Sequence, residues 1–333
     1  MDWSRGFSAA YYLAVVDPAS WRDVDRIEIT SGSITRNGTG LRESADIQCT
    51  DYDNNRELWI RVWLDATQGE TTEHVPLFTG IACSPSTEID GNLFRHPLEC
   101  YSVLKPAQDI LLKRGWYAPA NANGAELVRQ LLSVSQAPVV IDGLSPTLTQ
   151  TVVAEDGESN LTMADKILTA IGWWLRIDGD GTVHVCPKAT EESATFDALE
   201  NDVIEPQLSV DQDWYECPNV FRAVLGNLTA EARDENPDSF LSIVTRGREV
   251  WKEETSAALN SGETIAEYAM RRLREEQSYA VSVSYYRRYV PEVYVGDIVR
   301  LHHPAQGLDG AFVVQSQTIT LSYGARVSER VST

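Results

Sequence analysis

From Glu57 to Leu64 the chain alternates: Leu58, Ile60, Val62 and Leu64 are aliphatic, and Trp59, Arg61 and Trp63 fall between them. A period of two marks a strand with one face in a core. Shorter runs of the same kind occur at Arg26–Thr30, Ala45–Thr50, Leu77–Cys83 and Leu93–Tyr101. Turn-forming stretches separate them at Arg36-Asn37-Gly38-Thr39-Gly40, Asp51–Asn55 and Ile89-Asp90-Gly91-Asn92. Short strands at this spacing predict a barrel or sandwich over residues 22–104, preceded by an N-terminal arm, residues 1–21.

The period changes over residues 105–200, which read as an α+β module. Asn123-Gly124-Ala125-Glu126 has the form of a capping box, and Leu127, Val128, Leu131 and Leu132 follow at helical spacing. A second helix starts near Ser159, carries Leu161, Ala164, Leu168 and Ile171 on one face, and stops at Gly172. Trp173–Ile177 and Thr182–Cys186 then form a hairpin about Asp178-Gly179-Asp180-Gly181. Residues 201–252 return to β patterning, with Asn219–Leu225 and Leu241–Thr245 as the better strands. A connecting helix occupies 253–280, opened by the capping box Thr264-Ile265-Ala266-Glu267 and striped by Ile265, Tyr268, Ala269 and Leu273. Residues 281–333 are β again: Val281, Val283, Tyr285 and Tyr289 alternate with polar neighbours, and Ile319 and Leu321 share one side of the closing strand. The fold class is therefore mainly β with an α+β insertion. Gly296 is expected at a turn with φ > 0, with Val293 and Val295 entering the core.

Composition narrows the classes. The chain has 333 residues, 43% of them hydrophobic, which is ample for two or three cored domains. It carries 49 acidic and 28 basic residues, a net charge of −21. A general phosphate-neutralising surface for nucleic acid is excluded by that balance. The acid excess is concentrated in residues 151–250, and residues 281–333 are nearly neutral. There is no run of about 18 apolar residues and no basic segment ahead of a continuous apolar stretch, so neither membrane insertion nor a signal peptide is expected.

Candidate chemistry is sparse. The five cysteines (Cys49, Cys83, Cys100, Cys186, Cys217) form no C-x-x-C pair, and the five histidines (His74, His96, His184, His302, His303) add no metal-ligand spacing. Buried free thiols are expected. Asp178-Gly179-Asp180-Gly181 fails as a calcium loop, because Val183 and Ala189 stand where Gly and Glu are required. Asp51, Asp53 and Asn55 fail similarly, with Arg56 at the bend position. Ser159 and Ser239 have no argued base. Trp59 and Trp63, on one strand face, suggest a sugar platform, against the alternative that another domain or subunit covers that face. Tyr285-Tyr286-Arg287-Arg288-Tyr289 interleaves bases with aromatics, as in nucleic-acid stacking, or as in an interface strand. No catalytic, cofactor-binding or metal residue is assigned. An Asp/Glu pair of a cell-wall glycoside hydrolase remains the enzymatic alternative, and a carbohydrate-binding β module is the third.

The closing segment carries a resemblance. Tyr289-Val290-Pro291-Glu292-Val293-Tyr294-Val295-Gly296-Asp297-Ile298-Val299 leads to His303-Pro304, then to Gly307-Leu308-Asp309-Gly310-Ala311-Phe312-Val313-Val314 and Ser316-Gln317-Thr318-Ile319-Thr320-Leu321. With Leu161–Pro187, Cys217-Pro218-Asn219-Val220 and Ser239-Phe240-Leu241-Ser242-Ile243, it resembles the phage tail and baseplate hub proteins of the late-control-D-like group. The resemblance implies two β-barrel domains of tail-hub type, the first over 22–104 and the second from 201–252 with 281–333. It implies a non-enzymatic virion protein, assembled in the host cytoplasm as a homotrimer. Its partners would be the tail tube or distal tail protein, the tape measure protein and a central spike or tip. DNA would pass through the lumen without a specific nucleic-acid site.

Overall fold

The segment read as an N-terminal arm contains a ten-residue strand, β1 (Ser8–Asp17), which buries Leu13, Ala14 and Val16. The computed structural model describes the chain apart from residues 53–55, 91–92, 199–202, 213, 256–258, 260–261, 279–280, 305–306 and 333. Parts of two expected turns, Asp53–Asn55 and Gly91-Asn92, therefore lie outside the described residues.

β1 pairs antiparallel with both β2 (Arg22–Asn37) and β4 (Leu58–Gln68). Pairing continues from β4 to β5 (Thr71–Pro85), to β7 (Leu93–Ser102), to β3 (Glu43–Cys49) and back to β2. The short strand β6 (Glu88–Asp90) adds to β7. Six strands thus form a closed circuit of pairings. Its core takes Leu13, Ile34, Ile47, Ile60, Val62, Leu64, Leu77, Phe78 and Leu98, all buried. The alternation read at Leu58, Ile60, Val62 and Leu64 is this inner face.

The α+β module follows. It contains α1 (Lys105–Asp109), β8 (Tyr117–Ala118), α2 (Gly124–Leu132), β9 (Val139–Ile141), β10 (Val152–Val153), α3 (Asn160–Ile171), β11 (Trp173–Ile177) and β12 (Val183–Pro187). Asn123 caps α2 by accepting from the Glu126 N–H (3.0 Å), and Ser159 caps α3 by accepting from the Thr162 N–H (3.1 Å). Glu126 does not reach back to Asn123; it binds Arg129 instead, so the expected capping box is half made. β11, β12 and β9 form a small sheet behind the two helices.

The remainder divides differently from the expected second barrel. β13 (Glu192–Asp197), inside the span read as module, pairs in parallel with β19 (Ile298–His303). β14 (Ile204–Gln212) pairs with β18 (Val281–Arg288), which pairs with β21 (Arg326–Ser332), and β21 pairs with β20 (Leu308–Thr320). The order β14–β18–β21–β20–β19–β13 is again six strands, but no pair closes it among the described residues. β20 changes neighbour midway: Leu308–Val313 lie on β19, and Ser316–Thr320 lie on β2 of the first circuit. One strand therefore ties the two β bodies edge to edge.

Between β14 and β18 the chain makes an excursion. β15 (Val220–Leu225), β16 (Leu228–Arg233) and β17 (Trp251–Glu254) form a three-stranded sheet covered by α5 (Ile265–Ser278), with Phe221, Tyr268, Ala269 and Leu273 between them. This region was expected to continue the second barrel; it has its own core. The capping box of α5 is complete: Glu267 accepts from the Thr264 N–H (2.8 Å) and Thr264 Oγ1 from the Glu267 N–H (3.3 Å). Leu241–Thr245, read as a strand, instead leads into the short helix α4 (Ile243–Arg246), because Ser242 Oγ accepts from the Thr245 N–H and starts a helical turn. The excursion leaves and rejoins at adjacent positions, Gln212 and Val281, which are paired.

The second body buries an ion pair. Arg287 and Glu329 are both buried and bidentate, at 2.9 and 2.7 Å. Tyr285 Oη and Gln317 Nε2 also donate to that carboxylate. Burial pushes the Glu329 carboxyl up, but Arg287 and these donors hold it below its usual range. Tyr285-Tyr286-Arg287-Arg288-Tyr289 is thus a core strand rather than a nucleic-acid surface: its odd members point inward. Replacing Glu329 by Gln leaves a buried guanidinium uncompensated. The expected loss is about 3–5 kcal/mol in urea unfolding, with a smaller loss for the double change Arg287→Met and Glu329→Leu.

Candidate functional site

The residues proposed for chemistry are dispersed. Cys49, Cys100 and Cys217 are buried, Cys83 and Cys186 half-buried, and all five are free thiols. Burial pushes the Cys49 thiol up to about 12 and Cys186 up to about 11, away from reactive thiolate. Among the described residues no three His, Cys, Asp or Glu side chains group as metal ligands. Ser159 and Ser242 are helix caps, and Ser239 Oγ donates to Asp234. Trp59 packs against the module core and meets Trp21 edge-on at 5.4 Å. Trp63 stacks on Tyr12, whose ring also receives Arg26 at 3.7 Å. The pair is not an open platform: the module covers Trp59, and Trp63 is held by Tyr12 of β1 and Asp23 of β2.

What the structure brings together is a joint, and the β11–β12 hairpin is its centre. At the hairpin tip, Thr79 Oγ1 donates to the Gly179 carbonyl (2.8 Å). Arg61 Nη2 (3.0 Å) and Trp21 Nε1 (2.9 Å) donate to the Asp180 carbonyl. The two turn carbonyls are therefore bound to the first β body, while the carboxylates a calcium ion would need are engaged within the module, Asp178 with Arg176 and Asp180 Oδ1 accepting from the Thr182 N–H. Arg61 also pairs with Asp23 at 2.6 Å, and Trp63 Nε1 donates to the same carboxylate. Gly179 lies so close to β5 that a β-carbon would stand 1.9 Å from the Pro76 carbonyl oxygen. The string Asp178-Gly179-Asp180-Gly181 is a turn, as expected, but its glycines also serve the docking.

At the other end of the hairpin, Trp174 lies against Gly296. Gly296 has φ 88°, and a β-carbon there would fall 1.2 Å from Trp174 Cη2. Val293 and Val295 are buried in the second β core, as the sequence leads one to expect. Between the two ends runs a chain of charges and rings. Arg36 lies over the Tyr294 ring at 4.8 Å and Arg176 at 5.3 Å. Arg36 binds Glu43 (2.9 Å) and donates to the Leu77 carbonyl (2.6 Å). Arg176 binds Asp178 (3.1 Å), which approaches His184 at 3.2 Å, and His184 meets Asp142 at 2.8 Å. Arg42 anchors the turn after β2 to Asp165 of α3 at 2.6 Å.

Two carboxyls here are pushed up by burial: Glu43 to about 7, and Asp297, which accepts from the Tyr294 N–H. Raised carboxyl values are what a general acid requires. The space beside Glu43, Arg36 and Tyr294 is about 20 Å³, room for one water. Substrate pockets run to about 300–1,000 Å³, so a sugar ring does not fit. A wider cleft of about 800 Å³ opens nearby between α3, α5 and the Gly296 turn. Among its charged side chains Arg42 is matched with Asp165 and Arg272 with Glu275, and Lys188 lines it as well.

No family model matches the chain, and no curated protein sequence matches it. Solved structures do. A tail protein from Neisseria meningitidis MC58 superposes with a TM-score of 0.72 at 15% identity, over 97% of this chain and 96% of that one. The 43 kDa tail protein of prophage MuSo2 from Shewanella oneidensis gives 0.66 at 14% identity, over 96% and 97%. The E. coli c3393 protein, a type VI secretion component with structural similarity to T4 tail proteins gp27 and gp5, gives 0.55 at 12%, over 92% of this chain and 73% of that one. The chain has the fold of phage tail proteins. That fold extends over nearly its whole length.

Two outcomes follow from the joint. Gly296→Ala adds positive-φ strain of about 1–2 kcal/mol and a collision with the indole. In a Trp174→Ala background only the strain is left, so the Gly296→Ala cost measured by denaturant should be smaller there than in the parent. Glu43 has a folded pKa above its usual 4.5. Its contribution is full below the unfolded value and lost as pH rises through about 7. Between about pH 5 and pH 8 the parent should lose stability relative to Glu43→Gln, read as urea midpoints.

Proposed function

We propose that this chain is a structural hub of a phage tail or related injection machine, acting as a homotrimer that joins a six-fold tube to a three-fold spike or tip. The observation that carries the reading is the pair of six-stranded β bodies in one chain, within a fold shared end to end with tail proteins. Three copies would present six such barrel-like bodies, matching a six-fold neighbour while keeping three-fold symmetry below. The partners in this reading are the tail tube or distal tail protein, the tape measure protein and the central spike. The net charge of −21 supports a lumen through which DNA slides without adhering, since like charges repel. The chain's role is packing and connection, with no reaction assigned to it. The glycoside hydrolase and carbohydrate-binding alternatives gain no support from the joint or from Trp59 and Trp63.

The test is native mass. Light scattering of the purified chain should give three times the 37.0 kDa chain mass, either alone or, with a candidate spike protein added, as that mass plus the spike's own. A chain that stays monomeric under both conditions would refute the hub reading.

A further inference from the structure

The body inserted between β14 and β18 carries an aromatic surface that the strand pairing and the joint leave unused. Trp214 is 47% exposed and Phe240 43%, with their ring centroids 5.4 Å apart; Tyr215 is 78% exposed and Val244 61%. We propose that this surface docks a different tail protein through a segment that carries Lys or Arg among apolar residues. The proposal rests on the tail-hub reading above and extends it to a particular face.

The first support is rigidity. Arg246 turns inward and donates to the Trp214 carbonyl (2.5 Å) and the Cys217 carbonyl (2.7 Å). Buried Asn219 donates to the Leu241 carbonyl (3.1 Å) and the Arg248 carbonyl (3.0 Å), and accepts from the Val250 N–H (2.7 Å). Asp234 takes the Ser239 hydroxyl (2.7 Å) and Gln277 (3.1 Å). These bonds fix the two segments that present the rings, so little ordering remains to be done on binding. Trp and Tyr held this way supply most of the energy in protein interfaces.

The second support is charge. Glu216 and Asp238 flank the rings in sequence and are exposed, and neither forms an ion pair among the described residues; the cation beside them, Arg246, is engaged with the Trp214 and Cys217 carbonyls. Aromatic faces beside unpaired carboxylates suit a cation, through cation–π contact and ion pairing together. Self-association through this face is disfavoured locally, because Glu216 and Asp238 of one copy would meet the same carboxylates of the other.

The experiment places p-benzoylphenylalanine at Tyr215 in the full chain and irradiates assembled tail particles. The expected adduct is to a different tail protein, at a peptide containing Lys or Arg. In parallel, Trp214→Ala and Phe240→Ala should each reduce the co-purifying neighbour about tenfold while the chain's own oligomeric mass is unchanged. Glu216→Gln with Asp238→Asn should give a smaller reduction, and raising salt to about 1 M should reproduce it in the parent. An adduct to a second copy of this chain, an adduct to glycan, or no adduct in intact particles overturns the proposal. So does normal assembly of both aromatic variants. The Tyr215 probe sits at an exposed position and reads the surface even where a Trp214 or Phe240 variant misfolds. Failure of the hub reading looks different: the parent chain is then missing from the particles altogether.

Discussion

Two backbone positions without room for a β-carbon hold the parts of this chain in register. At Gly179 the module's hairpin meets the carbonyl of Pro76, and at Gly296 the second β body meets the indole of Trp174. Both contacts belong to one short hairpin, so neither β body can shift against the module without opening one of them. Van der Waals contact at this range is steep, and the indole on Gly296 acts as a stop rather than a spring. The polar groups about the hairpin follow from that placement. Arg61, Trp21 and Thr79 are positioned to satisfy turn carbonyls that docking would otherwise leave buried and unpaired.

Charge is used in two ways. At the surface the acid excess is a field, weak at any one residue and additive over many. Inside, single carboxylates are matched to single guanidiniums: Glu329 to Arg287 in the second β body, and Glu43 to Arg36 where that body meets the first. The two pairs differ in what else reaches the carboxylate. Glu329 collects a phenol and an amide besides Arg287, and stays ionised. Glu43 has fewer donors, and burial prevails over Arg36. A difference of a few hydrogen bonds thus separates a permanent pair from one that titrates near neutrality.

Much of the local structure was legible in the sequence. The inner face of β4, the start and stop of α3, the cap of α5 and the turn at Gly296 follow from period, caps and glycine placement alone. The N-terminal strand was not, because Ala9, Tyr11 and Tyr12 interrupt the alternation and its partners, β2 and β4, lie downstream. Leu241–Thr245 misled because its apolar residues fit a strand, while the capping serine inside it signals a helix. The division of the C-terminal half was hidden for a different reason. Whether residues after Gln212 continue a sheet or leave it depends on pairing with strands more than sixty residues away, which local pattern does not encode. Arg287 could have been found: it falls on the inward side of the alternation that runs through Val283, Tyr285 and Tyr289. The joint itself reads in the sequence only as a turn, since the close approach at Gly179 is a relation between two distant segments.

The neighbouring positions of Gln212 and Val281 have a consequence for how this fold varies. To the main sheet, everything between them is a loop on a hairpin, whatever its size. Closing such a loop costs only slowly more as it lengthens. The inserted body can therefore be enlarged, exchanged or trimmed to a short turn while β14 and β18 keep their register. It is a replaceable head on a fixed stem, so related chains can differ there in length and surface chemistry and still build the same frame.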